Sequence, residues 1–186
     1  MTQAESQAED AGALPAVSPG DRWSLEPLRE EERPLLARLL ELYLYDFSEF
    51  TGWRVQEDGL FARSDWHKRQ WSTPGRHVLL LRVEGKPAGF AIVDERSPLP
   101  GGGDRHYVAE FFVMRGQRRR GLGEAVAREI FDRFPGGWQV LQMPQNTVAQ
   151  GFWRRVIGAY TGGRFSERTI ADGDIVQEFD TRDRVG

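Results

Sequence analysis

Apolar positions recur along the chain in two rhythms, and those rhythms lay out its elements. After Glu30, Leu36, Leu40, Tyr43, Phe47 and Phe50 fall at spacings of four, three, four and three, the stripe of an amphipathic helix. Pro34 lies near its start, where a missing amide hydrogen is tolerated, and Gly52 stops it. A weaker stripe predicts a short helix at Ser64–Trp71, and a short strand is expected earlier, at Arg22–Leu25. Two β-type runs, His77–Val83 and Ala88–Val93, flank Glu84-Gly85-Lys86-Pro87 and predict a hairpin. The loop Ser97–Asp104, with two prolines and three consecutive glycines, leads into a strand at 106–114. Helical periodicity returns at 121–134 through Ala125, Val126, Ile130, Phe131 and Phe134, and Pro135-Gly136-Gly137 ends it. Gln139–Met143 reads as a buried strand and Thr147–Val156 as a helix with Asn146 at its N-cap. Arg164–Ala171 and Ile175–Asp180, joined by Asp172-Gly173-Asp174, predict a second hairpin. Strands and helices in this order define a mixed α/β (α+β) sheet within one domain, residues 21–186.

Composition sharpens that picture at the ends and excludes several chemistries. Residues 1–20 are rich in Ala, Gln, Glu, Ser, Pro and Gly without periodicity and are expected to form a disordered tail. The net charge of −3 comes from Glu5, Glu9 and Asp10 in that tail; the remaining body balances 25 basic against 25 acidic residues. A neutral body gives no reason to expect nucleic-acid binding. With no cysteine there is no disulfide, no thiolate metal site and no thiol nucleophile, which fits the cytoplasm, and three scattered histidines do not suggest a metal centre. No apolar run is long enough to span a membrane, and no signal peptide is expected.

The chemistry concentrates where the strand at 106–114 meets the following helix. Arg118-Arg119-Arg120-Gly121-Leu122-Gly123 places three cations and two glycines at a helix N-terminus, whose unpaired amides and dipole favour an anion. A lone R-x-x-G-x-G is more often a solvated turn; its place between a long strand and an amphipathic helix favours a pyrophosphate cradle. A Walker loop is absent, and Val126 stands where a dinucleotide fingerprint needs its last glycine. A second segment, Asn146-Thr147-Val148-Ala149-Gln150-Gly151-Phe152-Trp153, follows the next strand. Read alone it is a capped helix with an aromatic core face. Beside the cradle it supplies an amide-binding Asn and a flat apolar wall, the other half of a pantetheine slot.

Val113 followed by R-x-x-G-x-G at Arg118–Gly123, then N-x-x-A-x-x-F-[YW] at Asn146–Trp153, resembles the paired motifs of the GNAT N-acetyltransferase superfamily. The likeness covers about residues 21–180. Within it, the chain resembles a subgroup of small predicted acetyltransferases with similar Y-D-F-S-E-F and E-F-F-V segments. The resemblance implies a GNAT-like fold, with acetyl-CoA wedged as acyl donor between two splayed central strands. It implies that the backbone around Phe112, Val113 and Met114 pairs with pantetheine. Amides from Arg118, Arg119, Arg120, Gly121, Leu122 and Gly123 would hold the pyrophosphate, Asn146 would bond pantetheine, and Phe152 and Trp153 would line the cofactor.

Transfer to an amine also needs a base, because an amine of pKa ~10.4 is neutral in fewer than about one molecule in a thousand at pH 7. Glu110 is the first candidate: on a strand it shares a face with Phe112 and Met114, and apolar neighbours would raise its pKa. Asp46 and Glu49 on the first helix are alternatives, or would attract a cationic acceptor. The family's acid tyrosine is replaced by Trp153, leaving Tyr160 as the substitute; Arg115 replaces a usual proline, and Gly158-Ala159-Tyr160 replaces a usual Gly-Phe. The expected activity is acetyl-CoA-dependent N-acetylation of a small-molecule or peptide amine by direct transfer in a ternary complex, in a monomer or homodimer. The rival is a non-catalytic acyl-CoA-binding, regulatory module of the same fold.

Overall fold

The structure, a computed structural model, describes residues 23–62 and 64–184. The tail expected at 1–20 and the first residue of the expected strand at Arg22 lie outside the described residues. Strand β1 (Trp23–Pro27) is followed by a 3-10 turn, Glu30–Glu32, and then helix α1 (Arg33–Thr51). The helix begins after the acidic triplet because the Glu32 carboxylate accepts from the Arg29 amide (3.0 Å) and from Arg82 (2.8 Å), tying that turn to the sheet. Its buried residues, Leu36, Leu39, Leu40, Tyr43 and Leu44, keep the spacing of one face. Gly52 closes it in the left-handed conformation, its amide on the Ser48 carbonyl.

Helix α2 (Ser64–Ser72) leads to the hairpin of β2 (Arg76–Val83) and β3 (Lys86–Asp94). Only Glu84 and Gly85 make the turn, both with positive φ, the two-residue geometry that matches strand twist. Lys86 and Pro87, expected in the loop, belong to β3, with a register shift between Leu81 and Arg82 where Arg82 pairs with Pro87. Then follow β4 (His106–Val113), α3 (Leu122–Arg133), β5 (Gly137–Gln142), α4 (Thr147–Thr161), β6 (Phe165–Thr169) and β7 (Ile175–Asp180). Helix α4 runs five residues past the expected Val156, because Ile157 and Tyr160 continue its buried stripe until Gly162 ends it.

Among the described residues seven strands make one sheet in the order β1-β2-β3-β4-β5-β7-β6, antiparallel throughout except for β4 and β5. That parallel pair is joined only from His106↔Trp138 to Val108↔Val140. Beyond it β4 continues to Val113 and β5 to Gln142, so the sheet forks at its centre. The strands are buried on both faces: Leu79 and Leu81 join a cluster with Val126, Phe131, Trp138 and Ile157 under α3 and α4. Val78 and Leu80 join Leu36, Leu40, Phe90 and Phe112 under α1. Among the described residues no helix is long and apolar enough to cross a membrane.

Candidate active site

A bulge sets which way the fork's inner strand faces. Ile92 pairs with Glu110 but Val93 pairs with Val108, so Ala109 is an extra residue on β4. The extra residue resets the alternation. Val108 lies in the α3/α4 cluster, whereas Phe112 lies in the α1 cluster and carries Glu110 with it, opposite Ile92. Tyr107, on the near side of the bulge and opposite Asp94, comes to the same face.

Glu110 is half-buried, with the Tyr43 hydroxyl among its neighbours. Burial pushes its carboxyl up to about 7, against the smaller opposing pulls of the Tyr43 hydroxyl and the Arg76 cation; Asp94 adds to the rise. Arg76 is itself committed, its guanidinium forked onto Asp94 at 2.6 and 2.7 Å and onto Gln70 at 2.8 Å. Burial and the Glu110 charge raise the Tyr43 hydroxyl well above its ordinary value, and the same two causes push Tyr107 up to about 12. Both phenols therefore stay protonated beside a carboxyl that titrates near neutrality.

Met114, expected to pair with the cofactor, instead donates its amide to the Ala88 carbonyl of β3 at 2.8 Å. By strand alternation the backbone groups of Glu110 and Phe112 turn to β3 with it, while those of Phe111 and Val113 turn into the fork. Gly89 is required here: a Cβ on it would lie 2.0 Å from the Phe112 carbonyl oxygen. The chain then makes a 3-10 turn at Arg115–Gln117 and enters the basic loop, where Arg119 (φ 63°) and Gly121 (φ 80°) are both left-handed. Gly121 caps α3 without a side chain, and the first intrahelical bond runs from Ala125 to Gly121 at 3.0 Å. The amides of Leu122, Gly123 and Glu124 thus precede the helical ladder, which is the geometry for an anion. Arg118 departs from the expectation: its amide is spent on the Arg115 carbonyl at 3.2 Å. Leu122 itself buries its side chain in the α3/α4 cluster.

Asn146 caps α4, its Oδ1 accepting from the Ala149 amide at 3.0 Å, and this leaves Nδ2 as the donor it can offer a ligand. Phe152 is partly buried, 5.8 Å from Phe111 between ring centres, and a Cβ on Gly123 would touch its ring at 3.3 Å. Trp153 is only 5% exposed, with its ring edge-on to Phe111 at 5.0 Å; it forms core behind the fork.

Two sequence-derived roles are corrected. Tyr160 is 1% exposed between α3 and α4, and its hydroxyl donates to Asp132 at 2.7 Å; burial and that bond raise its pKa. It is a core tyrosine with a satisfied hydroxyl. Asp46 is not open to a cationic acceptor, because its carboxylate binds Arg115 at 2.9 Å and also binds Arg118. Glu49, one turn on, is exposed. Sequence reasoning missed Tyr43, Arg76, Asp94 and Tyr107 as neighbours of Glu110. Tyr43 carries the periodicity of a core residue, and the others meet only through pairing across β2, β3 and β4.

Solved structures of acetyltransferases share this fold. One from Thermus thermophilus aligns with a TM-score of 0.65 and 15% identity, covering 85% of this chain and 96% of that one. Aminoglycoside acetyltransferase AAC(6')-Ib in complex with coenzyme A aligns at 0.61 and 14%, covering 87% and 96%. The GNAT domain of S. lividans PAT aligns at 0.60 and 16%, covering 84% and 89%. At such identities the likeness establishes the fold. No curated protein matches the chain by sequence. The acetyltransferase (GNAT) family profile matches residues 36–159, two thirds of the chain, and the protein belongs to that family.

Proposed function

We propose that the protein transfers an acetyl group from acetyl-CoA to a primary amine, directly and within a ternary complex, with Glu110 as general base. The observation that carries this reading is a carboxyl titrating near 7 at the mouth of a fork that presents open strand backbone. The residues present fit the donor: Phe111 and Val113 offer backbone to the pantetheine arm, Asn146 offers an amide donor, and the uncapped start of α3 with Arg119 and Arg120 suits a pyrophosphate. Acetyl-CoA, when bound, supplies an activated acyl carbon.

The remaining work falls to the chain itself. Glu110 takes a proton from the acceptor ammonium, and near pH 7 about half of it is carboxylate. Tyr43 stands beside that carboxylate as a protonated phenol. A thiol of pKa ~8.5 leaves without a dedicated acid, which is consistent with both Trp153 and Tyr160 standing in the core. Exposed Glu49 is placed to attract a cationic acceptor to the α1 side. The burial of Trp153 and Tyr160 is also what favours the second reading, an acyl-CoA-binding module without turnover.

Release of free CoA across amines, polyamines, aminoglycosides and peptides tests the proposal, alongside melting curves with acetyl-CoA. Acetyl-CoA should raise the melting temperature, since a ligand of the folded state stabilises it. Glu110→Gln should lower turnover by about 10²–10⁴-fold and abolish the rise in rate through pH 7. An unmoved rate and pH profile would remove Glu110 as the base. A donor-induced melting shift with no CoA release on any acceptor would replace the enzyme with the module.

A further inference from the structure

Asp46 lies on α1, outside both motifs, yet its carboxylate gathers the two ends of the turn between β4 and the basic loop. Arg115 reaches it with Nε at 2.9 Å and Arg118 with Nη2. The carboxylate is well shielded, its side chain 15% exposed, while the two arginines are 65% and 40% exposed. Arg118 does more than pair with it. Its Nε donates to the Val113 carbonyl at 2.6 Å, and its guanidinium sits 5.7 Å above the Phe112 ring. That carbonyl belongs to the fork-facing edge of β4. One guanidinium therefore joins three parts: the strand edge, the loop that opens α3, and the helix α1. Tyr43, one turn earlier on α1, is a neighbour of Glu110.

Four arginines within six residues, Arg115, Arg118, Arg119 and Arg120, repel one another and would splay the turn if left uncompensated. Charge-assisted bonds to a shielded carboxylate are strong enough to hold two of them in place.

We propose that Asp46 is a positioning residue for the acyl donor: by clamping Arg115 and Arg118 it sets the Val113 edge and the start of α3 in the arrangement that binds the pantetheine and pyrophosphate of coenzyme A. This rests on the reading of the fork as an acyl-CoA site. It assigns the first arginine of the R-x-x-G-x-G run to the protein's own architecture, and phosphate contact to the amides that follow.

The sign of the effect separates this role from simple electrostatics. By charge alone, removing a carboxylate beside an anion site tightens anion binding. Under the clamp, removing it loosens the site and weakens binding. Asp46→Asn should weaken coenzyme A binding, measured by calorimetry on the full chain, by about tenfold, the scale of losing a charge-assisted hydrogen bond. The KM for acetyl-CoA should rise alike, with kcat at saturation within about twofold and the pH–rate midpoint unmoved. Asp46→Glu keeps the charge but displaces it by one methylene, and should also weaken binding; it carries the test if the Asn variant does not fold. Unchanged or tighter coenzyme A binding by a folded variant overturns the clamp. A wild-type protein that binds no coenzyme A fails the underlying reading instead, so the two failures are distinct.

Discussion

A carboxyl held near pH 7 has a thermodynamic signature of its own, whatever the acceptor. Free glutamate titrates near ~4.3, and Glu110 in the fold near 7. Between those values the folded chain keeps a proton that the unfolded chain has released. Stability therefore falls as pH rises through this window and levels off above it. The penalty at neutral pH is no more than about 4 kcal/mol, the shift converted at 1.36 kcal/mol per unit. Glu110→Gln has nothing to titrate and escapes it. Urea unfolding at a series of pH values should show wild type and variant alike near pH 4, with the variant gaining steadily up to pH 7 and by a constant margin beyond. A difference that does not vary with pH would show that the carboxyl is not shifted. Under the proposed role of Glu110, stability and rate report the same group from opposite sides, since the burial that costs stability would also keep the base poised.

Pairing between β3 and β4 carries the site, and Gly89 is where it is most exposed to damage. A methyl group there would meet the Phe112 carbonyl oxygen at 2.0 Å and the Val113 Cα at 3.1 Å, both backbone atoms that cannot rotate away. Gly89→Ala should cost about 3 kcal/mol or more, read as a drop in the denaturant midpoint, and should weaken coenzyme A binding because the displaced strand is the one lining the fork. A variant as stable as wild type would contradict the register. Nothing in the sequence singled out this glycine, because its need arises from a partner strand more than twenty residues away. The elements were legible where periodicity was strong, as in α1 and both hairpins. The face of Glu110 was read correctly, although the bulge at Ala109 that produces it with Val108 turned the other way was not visible. Tyr160 shows the opposite case. Nearness to Trp153 made it look like a substitute acid, while its place on the buried stripe of α4 already marked it as core. The link from Asp46 to Arg118, 72 residues along the chain, had no local signal.

Across the whole molecule the sheet divides the labour. The amides opening α3, the Asn146 cap and Phe152 lie with the helices of one face, whereas Glu110 and Tyr107 look toward α1 and its Tyr43 on the other. The parting of β4 from β5 beyond Val108 and Val140 is the opening between them. Under the proposed function, donor and acceptor approach from opposite faces and meet at that fork, so neither has to leave before the other arrives. The chain also holds no cysteine to carry an acyl group between half-reactions. The proposed direct transfer is consistent with such a fork. Initial rates measured over a grid of acetyl-CoA and acceptor concentrations should give intersecting double-reciprocal lines, and protein incubated with acetyl-CoA alone should show no added acetyl mass. Parallel lines together with an acetylated protein would require a nucleophile on the chain, and would move the chemistry from Glu110 to whichever side chain carried the acetyl group.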